Sequence, residues 1–189
     1  MRQEIRIAGF GGQGIILAAV ITGKAAAIFE GKEATVMENY GPEARGGACS
    51  GTIVVNETKV DYPYTTAPDI MAIMNKASYD KFRPELKKDG ILLIEEDLVT
   101  LNKDDNADVY KIPATRFAEE FGNKIVANII MLGFMTGVTE FVSYESMKSA
   151  ILSSVKPRFK ELNEKAYNRG YEFGKMSRRA GKEHRSRNR

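Results

Sequence analysis

Gly9-Phe10-Gly11-Gly12-Gln13-Gly14 is the stretch that decides the fold. A short β-like segment, residues 4–8, comes before it, and a long apolar run, residues 15–29, follows it. Strand, glycine turn and helix in this order predict a Rossmann-like first βα unit, because the glycine spacing fits G-x-G-x-x-G. Glycine accepts positive φ angles and lets another backbone or a ligand come close.

The turn is also a candidate binding site. The free N–H groups at the start of the following helix attract anions. The candidate ligand or partner contacts here are Gly9, Gly11, Gly12, Gln13 and Gly14. A βα unit can also use such glycines only for tight packing, with nothing bound, and the spacing alone leaves both interpretations open.

Charge is distributed unevenly along the 189 residues. Residues 177–189 carry six basic residues and one acidic residue, a charge of +5, so the net charge of +3 leaves about −2 for the rest. We therefore expect a single domain over residues 1–176 and a basic, disordered tail over residues 177–189. The basic character belongs to that tail, so it does not indicate a nucleic-acid partner.

Residues suited to redox or metal chemistry are scarce. The only cysteine is Cys49 and the only histidine is His184, which lies in the tail. This excludes an intrachain disulfide and an iron–sulfur site built from this chain alone, and we expect no catalytic residue and no metal ligand in it. No apolar run is long enough to span a membrane, and no signal peptide is expected, so we predict a cytoplasmic protein.

The second predicted strand, residues 33–38, ends in Glu38, which lies 24 positions after Gly14. In dinucleotide-binding folds an acid near that distance holds the ribose hydroxyls. One hypothesis is therefore a free-standing protein that binds NAD(P) or FAD through Gly9, Gly11, Gly14 and Glu38. The extra Gly12 and the unusual loop after Glu38 do not fit that hypothesis well.

That loop is the second candidate contact region. Its candidate residues are Tyr40, Gly41, Pro42, Glu43, Arg45, Gly46 and Gly47. A loop that leaves the carboxyl end of strand two lies at the sheet edge where α/β proteins bind ligands, beside the glycine turn. Arginine can hold a phosphate or carboxylate through two hydrogen bonds, so Arg45 is the charged candidate. The alternative is a solvated loop with ordinary surface charges.

The remaining segments predict a three-layer α/β/α fold with a mostly parallel, doubly wound sheet and C-terminal helices. Further strands are predicted at residues 52–55, 70–74, 91–94 and 109–112, and helices at residues 77–88, 115–121, 124–138, 143–154 and 157–176. Thr115 and Ser143 are candidate helix caps. The acidic run 95–97 is expected to be a solvated loop, and Asn128 to satisfy loop backbone.

Taken together, the two glycine-rich loops resemble those of the gamma subunit of 2-oxoacid:ferredoxin oxidoreductases. The same domain occurs fused within single-chain pyruvate:ferredoxin oxidoreductases and as the small subunit of indolepyruvate oxidoreductases. The resemblance covers about residues 3–175, and further matching motifs are Asp61-Tyr62-Pro63, Pro68-Asp69-Ile70, Lys88-Asp89-Gly90-Ile91, Ile112-Pro113-Ala114-Thr115 and Ala127-Asn128 followed by Leu132-Gly133.

The resemblance implies a multi-subunit enzyme that decarboxylates a 2-oxoacid, reduces ferredoxin and releases an acyl-CoA. Thiamine diphosphate, Mg and the iron–sulfur clusters would belong to partner alpha, beta and, where present, delta subunits, with coenzyme A as co-substrate. This chain, inactive when isolated, would complete the assembly and shape the approach of coenzyme A or the thiamine site, and ferredoxin would be only an indirect partner. Surfaces meant for partners could also pair two copies of the isolated chain.

Among the oxoacids, the motifs resemble the gamma chains of 2-oxoglutarate oxidoreductases slightly more than those for pyruvate, branched-chain 2-oxoacids or indolepyruvate. Two other readings stay open: the free-standing NAD(P)- or FAD-binding protein, and an assembly module that binds no ligand.

Overall fold

The computed structural model describes the backbone of residues 2–40, 48–58, 60 and 62–187, and the side chains as far as residue 181. Six strands form one sheet in the order β2-β3-β1-β4-β5-β6. They are β1 (Gln3–Phe10), β2 (Glu33–Asn39), β3 (Ala48–Asn56), β4 (Ile70–Ile73), β5 (Ile91–Glu95) and β6 (Asp108–Ile112). Only β3 runs antiparallel to its neighbours, which confirms the predicted mostly parallel sheet.

The helices lie on both faces of the sheet, but unequally. They are α1 (Ile15–Lys24), which continues as a π-helical turn (Ala25–Phe29), α2 (Lys76–Phe82), α3 (Ala114–Glu120), α4 (Ala127–Thr139), α5 (Tyr144–Ser154) and α6 (Lys160–Arg187). The larger apolar core joins one sheet face to α1 and α3–α6, and a smaller core joins the other face to α2. This confirms the α/β architecture with C-terminal helices. No helix in the described ranges has the length and apolar character needed to cross a membrane.

The central strands form where the sequence is continuously apolar. All residues of β4 are buried, and β5 is buried from its second residue onward. Strands covered by helices on both faces require such runs rather than an alternating pattern. Strand β4 lies directly beside β1, and β5 lies on the other side of β4, so the first glycine turn leaves from a rigid base.

Helices α4 and α6 pack at glycine contacts. A Cβ at Gly133 would overlap the carbonyl oxygen of Tyr167, and a Cβ at Gly170 would overlap the carbonyl oxygen of Ile130. The prediction that Gly133 and Gly137 permit a close backbone approach is therefore confirmed, because both face backbone atoms of α6.

Two local features differ from the sequence analysis. Helix α6 continues without a break from Met176 to Arg187, where a disordered tail was expected. Arginine, lysine and alanine are good helix formers, and cations near a helix C-terminus interact favourably with its dipole. Thr115 is not the cap of α3, whose first flanking residue is Pro113, whereas Ser143 caps α5 as predicted by accepting a hydrogen bond from the Ser146 N–H at 3.1 Å.

Candidate functional site at the carboxyl edge of the sheet

The glycine turn joins the end of β1 to the start of α1. Gly12 and Gly14 have φ angles of 102° and 71°, a region that side-chain-bearing residues rarely adopt. The Gln13 N–H closes the turn on the Phe10 carbonyl at 3.1 Å. Gly14 is the N-cap of α1, with no capping side chain and no acid in the first turn. The first helical N–H groups therefore remain an electropositive site at the sheet edge.

The glycines of the turn differ in what the chain requires of them. A Cβ at Gly9 would lie 2.6 Å from the Gln13 Oε1 atom, and one at Gly14 would overlap the Asn128 side chain. Gly12 is required for its positive φ, although the space around it is open. Gly11 has neither a positive φ nor a neighbour within 4 Å of its ideal Cβ position. Nothing in the described structure therefore requires glycine at Gly11.

Gln13 supports the turn from inside. Its Oε1 atom accepts hydrogen bonds from the Phe10 N–H at 2.7 Å and from Asn75 Nδ2 at 3.2 Å, and its Nε2 donates to the Met74 carbonyl at 3.4 Å. Asn75 is buried and caps α2 by accepting from the Ser78 N–H at 2.8 Å. Gln13 is thus a positioning residue that joins the turn to the β4–α2 corner. Asn75 was not predicted as a cap, although an asparagine before a helix is a typical one.

Asn128 holds the turn from the opposite side. It lies at the start of α4, is buried, and donates from Nδ2 to the Gly14 carbonyl at 3.1 Å. Its Oδ1 accepts from the Ile129 N–H at 2.8 Å. The prediction that this amide satisfies loop backbone is confirmed.

A cleft of about 260 Å³ opens beside the turn. It lies where β1 and β4 end and their following helices leave to opposite faces of the sheet, the position at which α/β proteins bind ligands. Its walls are mainly apolar and include Leu98 and Ile125, whose side chain is 77% exposed. Lys124 is the charged residue of the lining, and it pairs with Glu119 at 2.7 Å. Leu98, Lys124 and Ile125 were not identified from the sequence, because only the fold brings them to the turn.

The expectation of a solvated acidic loop at residues 95–97 is wrong for Glu95. Its side chain is fully buried and accepts hydrogen bonds from the Thr115 N–H at 2.7 Å and hydroxyl at 2.9 Å, and from the Asp97 N–H at 3.1 Å. Burial raises the pKa of the Glu95 carboxyl, partly offset by these hydrogen bonds. The residue joins the end of β5 to the start of α3 and so braces one wall of the cleft. The described residues hold no cluster of metal-ligating side chains.

The second candidate loop is described only at its ends. Gly41, Pro42, Glu43, Arg45, Gly46 and Gly47 lie outside the described residues. Strand β2 ends at Asn39, and β3 begins at Ala48, which pairs with Phe10 across the sheet. The loop therefore starts and ends at the same sheet edge as the glycine turn. Tyr40, at its start, is exposed and donates to Glu38 Oε2 at 2.6 Å, and this hydrogen bond raises the pKa of the Tyr40 hydroxyl.

Glu38 does not lie in the position of a ribose-binding acid. In the dinucleotide-binding order the second strand lies directly beside the first. Here β3 lies between β1 and β2, and Glu38 pairs with Gly51 of β3. Two strand spacings, about 10 Å, therefore separate β2 from β1. The sheet order argues against the NAD(P) or FAD hypothesis.

Comparison with known proteins agrees with this architecture. The chain belongs to the pyruvate ferredoxin/flavodoxin oxidoreductase family, whose profile matches residues 4–173. The 2-oxoglutarate synthase subunit KorC of Methanocaldococcus jannaschii is 49% identical over 178 residues, covering 93% of this chain and 95% of that protein. The pyruvate synthase subunit PorC of the same organism is 33% identical over 166 residues, covering 86% and 92%.

Among solved structures, the gamma subunit of a keto/oxoacid ferredoxin oxidoreductase from Geobacter sulfurreducens superimposes with a TM-score of 0.86 at 39% identity. The match covers 94% of this chain and 98% of that one. These findings confirm the resemblance to the gamma subunits of 2-oxoacid:ferredoxin oxidoreductases.

Proposed function

We propose that this chain is the gamma subunit of a multi-subunit, thiamine-dependent 2-oxoglutarate:ferredoxin oxidoreductase, which forms an acyl-CoA and CO2. The higher identity to the 2-oxoglutarate synthase subunit than to the pyruvate synthase subunit supports this oxoacid over pyruvate. Branched-chain 2-oxoacids and indolepyruvate remain the alternatives to be tested with it. Alpha, beta and, where present, delta subunits are the proposed partners, and they would hold the thiamine diphosphate, magnesium and iron–sulfur clusters.

The geometric observation that supports a contact role for this chain is Gly11, whose ideal Cβ position has no described neighbour within 4 Å. A glycine that the described part of the fold does not require is explained when a partner or ligand occupies the space beside it. The uncapped start of α1 adds N–H groups that suit an anionic oxygen. The turn would therefore face either a phosphate of coenzyme A or a loop of a partner subunit, and Arg45, outside the described residues, would add a positive charge from the second loop.

Within the complex, the proposed role of this chain's own residues is to bind and orient the ligand or partner loop that docks at the glycine turn. Thiamine diphosphate, held by a partner, supplies the carbanion stabilisation that decarboxylation requires. Gln13 and Asn128 keep the glycine turn in one conformation, and the apolar cleft beside it excludes water from whatever docks there. We assign no proton transfer or redox step to this chain.

The function is tested by an oxoacid panel with the assembled complex. Co-expression of this chain with the other subunits should give ferredoxin reduction whose kcat/KM is at least about tenfold higher for 2-oxoglutarate than for pyruvate, branched-chain 2-oxoacids or indolepyruvate. A higher kcat/KM for another oxoacid of the panel would identify that oxoacid as the substrate in place of 2-oxoglutarate. Micromolar binding of NAD, NADP or FAD to the isolated chain would favour the free-standing alternative instead.

The role of the turn is tested by Gly11→Ala. The isolated variant should keep the wild-type Tm, since no described atom lies within 4 Å of the added methyl group and the φ of Gly11 lies outside the positive region. The complex should assemble more weakly or show a higher KM for coenzyme A. Unchanged assembly and unchanged KM would mean that nothing approaches Gly11, and a role limited to packing would then hold for the turn.

A further inference from the structure

A polar trough lies on the sheet face opposite α1. It has a volume of about 310 Å³ and is bounded by α2, the 3₁₀ turn after it (Arg83–Glu85), and the ends of β2 and β3. Unlike the cleft beside the glycine turn, it has mainly polar walls. Tyr40 and Ala48, the residues on either side of the undescribed loop segment 41–47, both line it.

Arg6 lies at the floor of the trough, on β1. The residue is only 7% exposed, and its guanidinium packs over the Phe82 ring at 4.7 Å. Its Nη2 atom pairs with Glu85 Oε2 at 2.7 Å, but its buried Nε–H has no partner in the described structure. An unpaired buried donor costs about 1–3 kcal/mol, and such groups are rare in native proteins.

The unpaired group of Arg6 is not isolated. The buried hydroxyl oxygens of Ser50 on β3 and Thr35 on β2 also lack partners in the part of the chain that the structure describes. The sheet register places Arg6 opposite Thr52 and Ser50 opposite Ala8, so the two side chains lie on one face of neighbouring strands and both line the trough, whereas Thr35, opposite Val54, shares the face but does not line it. A sheet face of this kind is normally apolar, and polar groups there indicate a polar occupant.

The charge of the trough indicates which occupant. Arg6 and Lys81 are positive, and Glu85 is the acid in the lining. No ion pair to Lys81 is found among the described residues, and its ammonium lies 5.1 Å from the Phe82 ring centroid. We propose that the trough binds an oxyanion, a phosphate or carboxylate group, held by Arg6 and Ser50 at the floor and Lys81 at the rim. Guanidinium groups suit both anions because their planar donors match two oxygens.

The oxyanion has two sources, a phosphorylated small molecule or a carboxylate side chain of a partner subunit. The full chain, labelled with ¹⁵N, is titrated with inorganic phosphate while the Nε–Hε resonance of Arg6 is followed. Saturable movement of this resonance is expected for the first source. Ser50→Ala and Lys81→Ala should each weaken phosphate binding by about fivefold, the value of one ordinary hydrogen bond or exposed charge contact.

Ser78→Ala is the matched control, because Ser78 also carries a buried, unpaired hydroxyl but does not line the trough. Neither serine variant removes a hydrogen bond of that hydroxyl, so both should fold. The control should leave phosphate affinity unchanged. An equal loss in Ser50→Ala and Ser78→Ala would overturn the assignment of Ser50 to the site.

For the second source, the dissociation constant between this chain and the other subunits is measured without phosphate. Ser50→Ala and Lys81→Ala should raise it by about fivefold, and Ser78→Ala should not. This arm rests on the proposed function, whereas the phosphate arm does not. No phosphate saturation together with unchanged subunit affinity overturns the site, even if the complex oxidises 2-oxoglutarate. Phosphate saturation in a chain that assembles with no partner supports the site and contradicts only the proposed function.

Discussion

Replacement of Gly12 by alanine separates the conformational requirement of the turn from its contacts. Gly12 has a φ of 102°, and no described atom lies within 4 Å of its ideal Cβ position, so the substitution adds backbone strain without a clash against the described residues. That strain should lower the free energy of unfolding by about 1–3 kcal/mol. For a chain of this length each kcal/mol lowers Tm by about 2–4 °C.

Gly31→Ala is the matched control, since Gly31 has a φ of 66° and equally open space but lies at the other end of α1 and its π-helical extension. It should lose about 1–2 kcal/mol. Thermal unfolding of both isolated variants measures the loss of stability caused by backbone strain. Activity of the assembled complex at saturating and limiting coenzyme A measures whether a contact at the turn is lost. We expect both variants to be less stable and only Gly12→Ala to lose activity or assembly. Equal activity in the two variants would refute a contact at the turn.

Three further substitutions test other parts of the structure. Asn128→Ala removes the hydrogen bond to the Gly14 carbonyl and leaves a cavity, so urea unfolding should show a loss of about 2 kcal/mol. Gly133→Ala forces a methyl group against the Tyr167 carbonyl, and because backbone cannot yield there we expect a loss of about 3 kcal/mol or no folded protein. Hydrogen bonds from a guanidinium hold the pKa of Asp105 at about 2 in the folded chain, which is lower than in the unfolded chain. Asp105 therefore stabilises the fold above its ordinary pKa and stops doing so as the pH falls to about 2. Asp105→Asn should therefore cost about 2 kcal/mol at pH 7 and flatten the decline in stability between about pH 4 and pH 2; an unchanged decline would contradict that origin.

The parts of the fold that local sequence patterns determine were predictable. The continuous apolar runs of β4 and β5, the glycine turn and the serine cap of α5 depend on residues close together in sequence. Their physical causes, burial on both faces, positive φ and hydrogen bonding of helix N–H groups, all act over a few residues.

Strand order was not predictable in the same way. The loop after β2 was predicted to lie beside the glycine turn, which holds for the loop's two ends, but the antiparallel β3 separates β2 from β1. That pairing joins residues some forty positions apart, such as Phe10 and Ala48, and no local pattern encodes it. The ribose-binding role for Glu38 failed for this reason.

The burial of charged residues was the second feature that could not be predicted from the sequence. Glu95 reads as part of an acidic loop, and Arg6 belongs to the first β-like segment with nothing in the sequence to indicate its environment, yet both are buried. Their environments are built by distant segments, Thr115 for Glu95 and the 3₁₀ turn with Glu85 for Arg6. The candidate site was therefore located from its glycines, while the residues that brace it and line its cleft required the structure.

The central claim is that the glycine turn is a contact edge, and backbone hydrogen exchange of residues 9–17 measures it most directly. The exchange is compared between the isolated chain and the assembled complex, with and without coenzyme A. We expect the N–H groups of residues 11, 12 and 14–17 to become protected on assembly or on addition of coenzyme A, because the start of α1 has no capping side chain. Exchange at these residues that stays as fast in the complex as in the isolated chain, while other surfaces become protected, would contradict the claim.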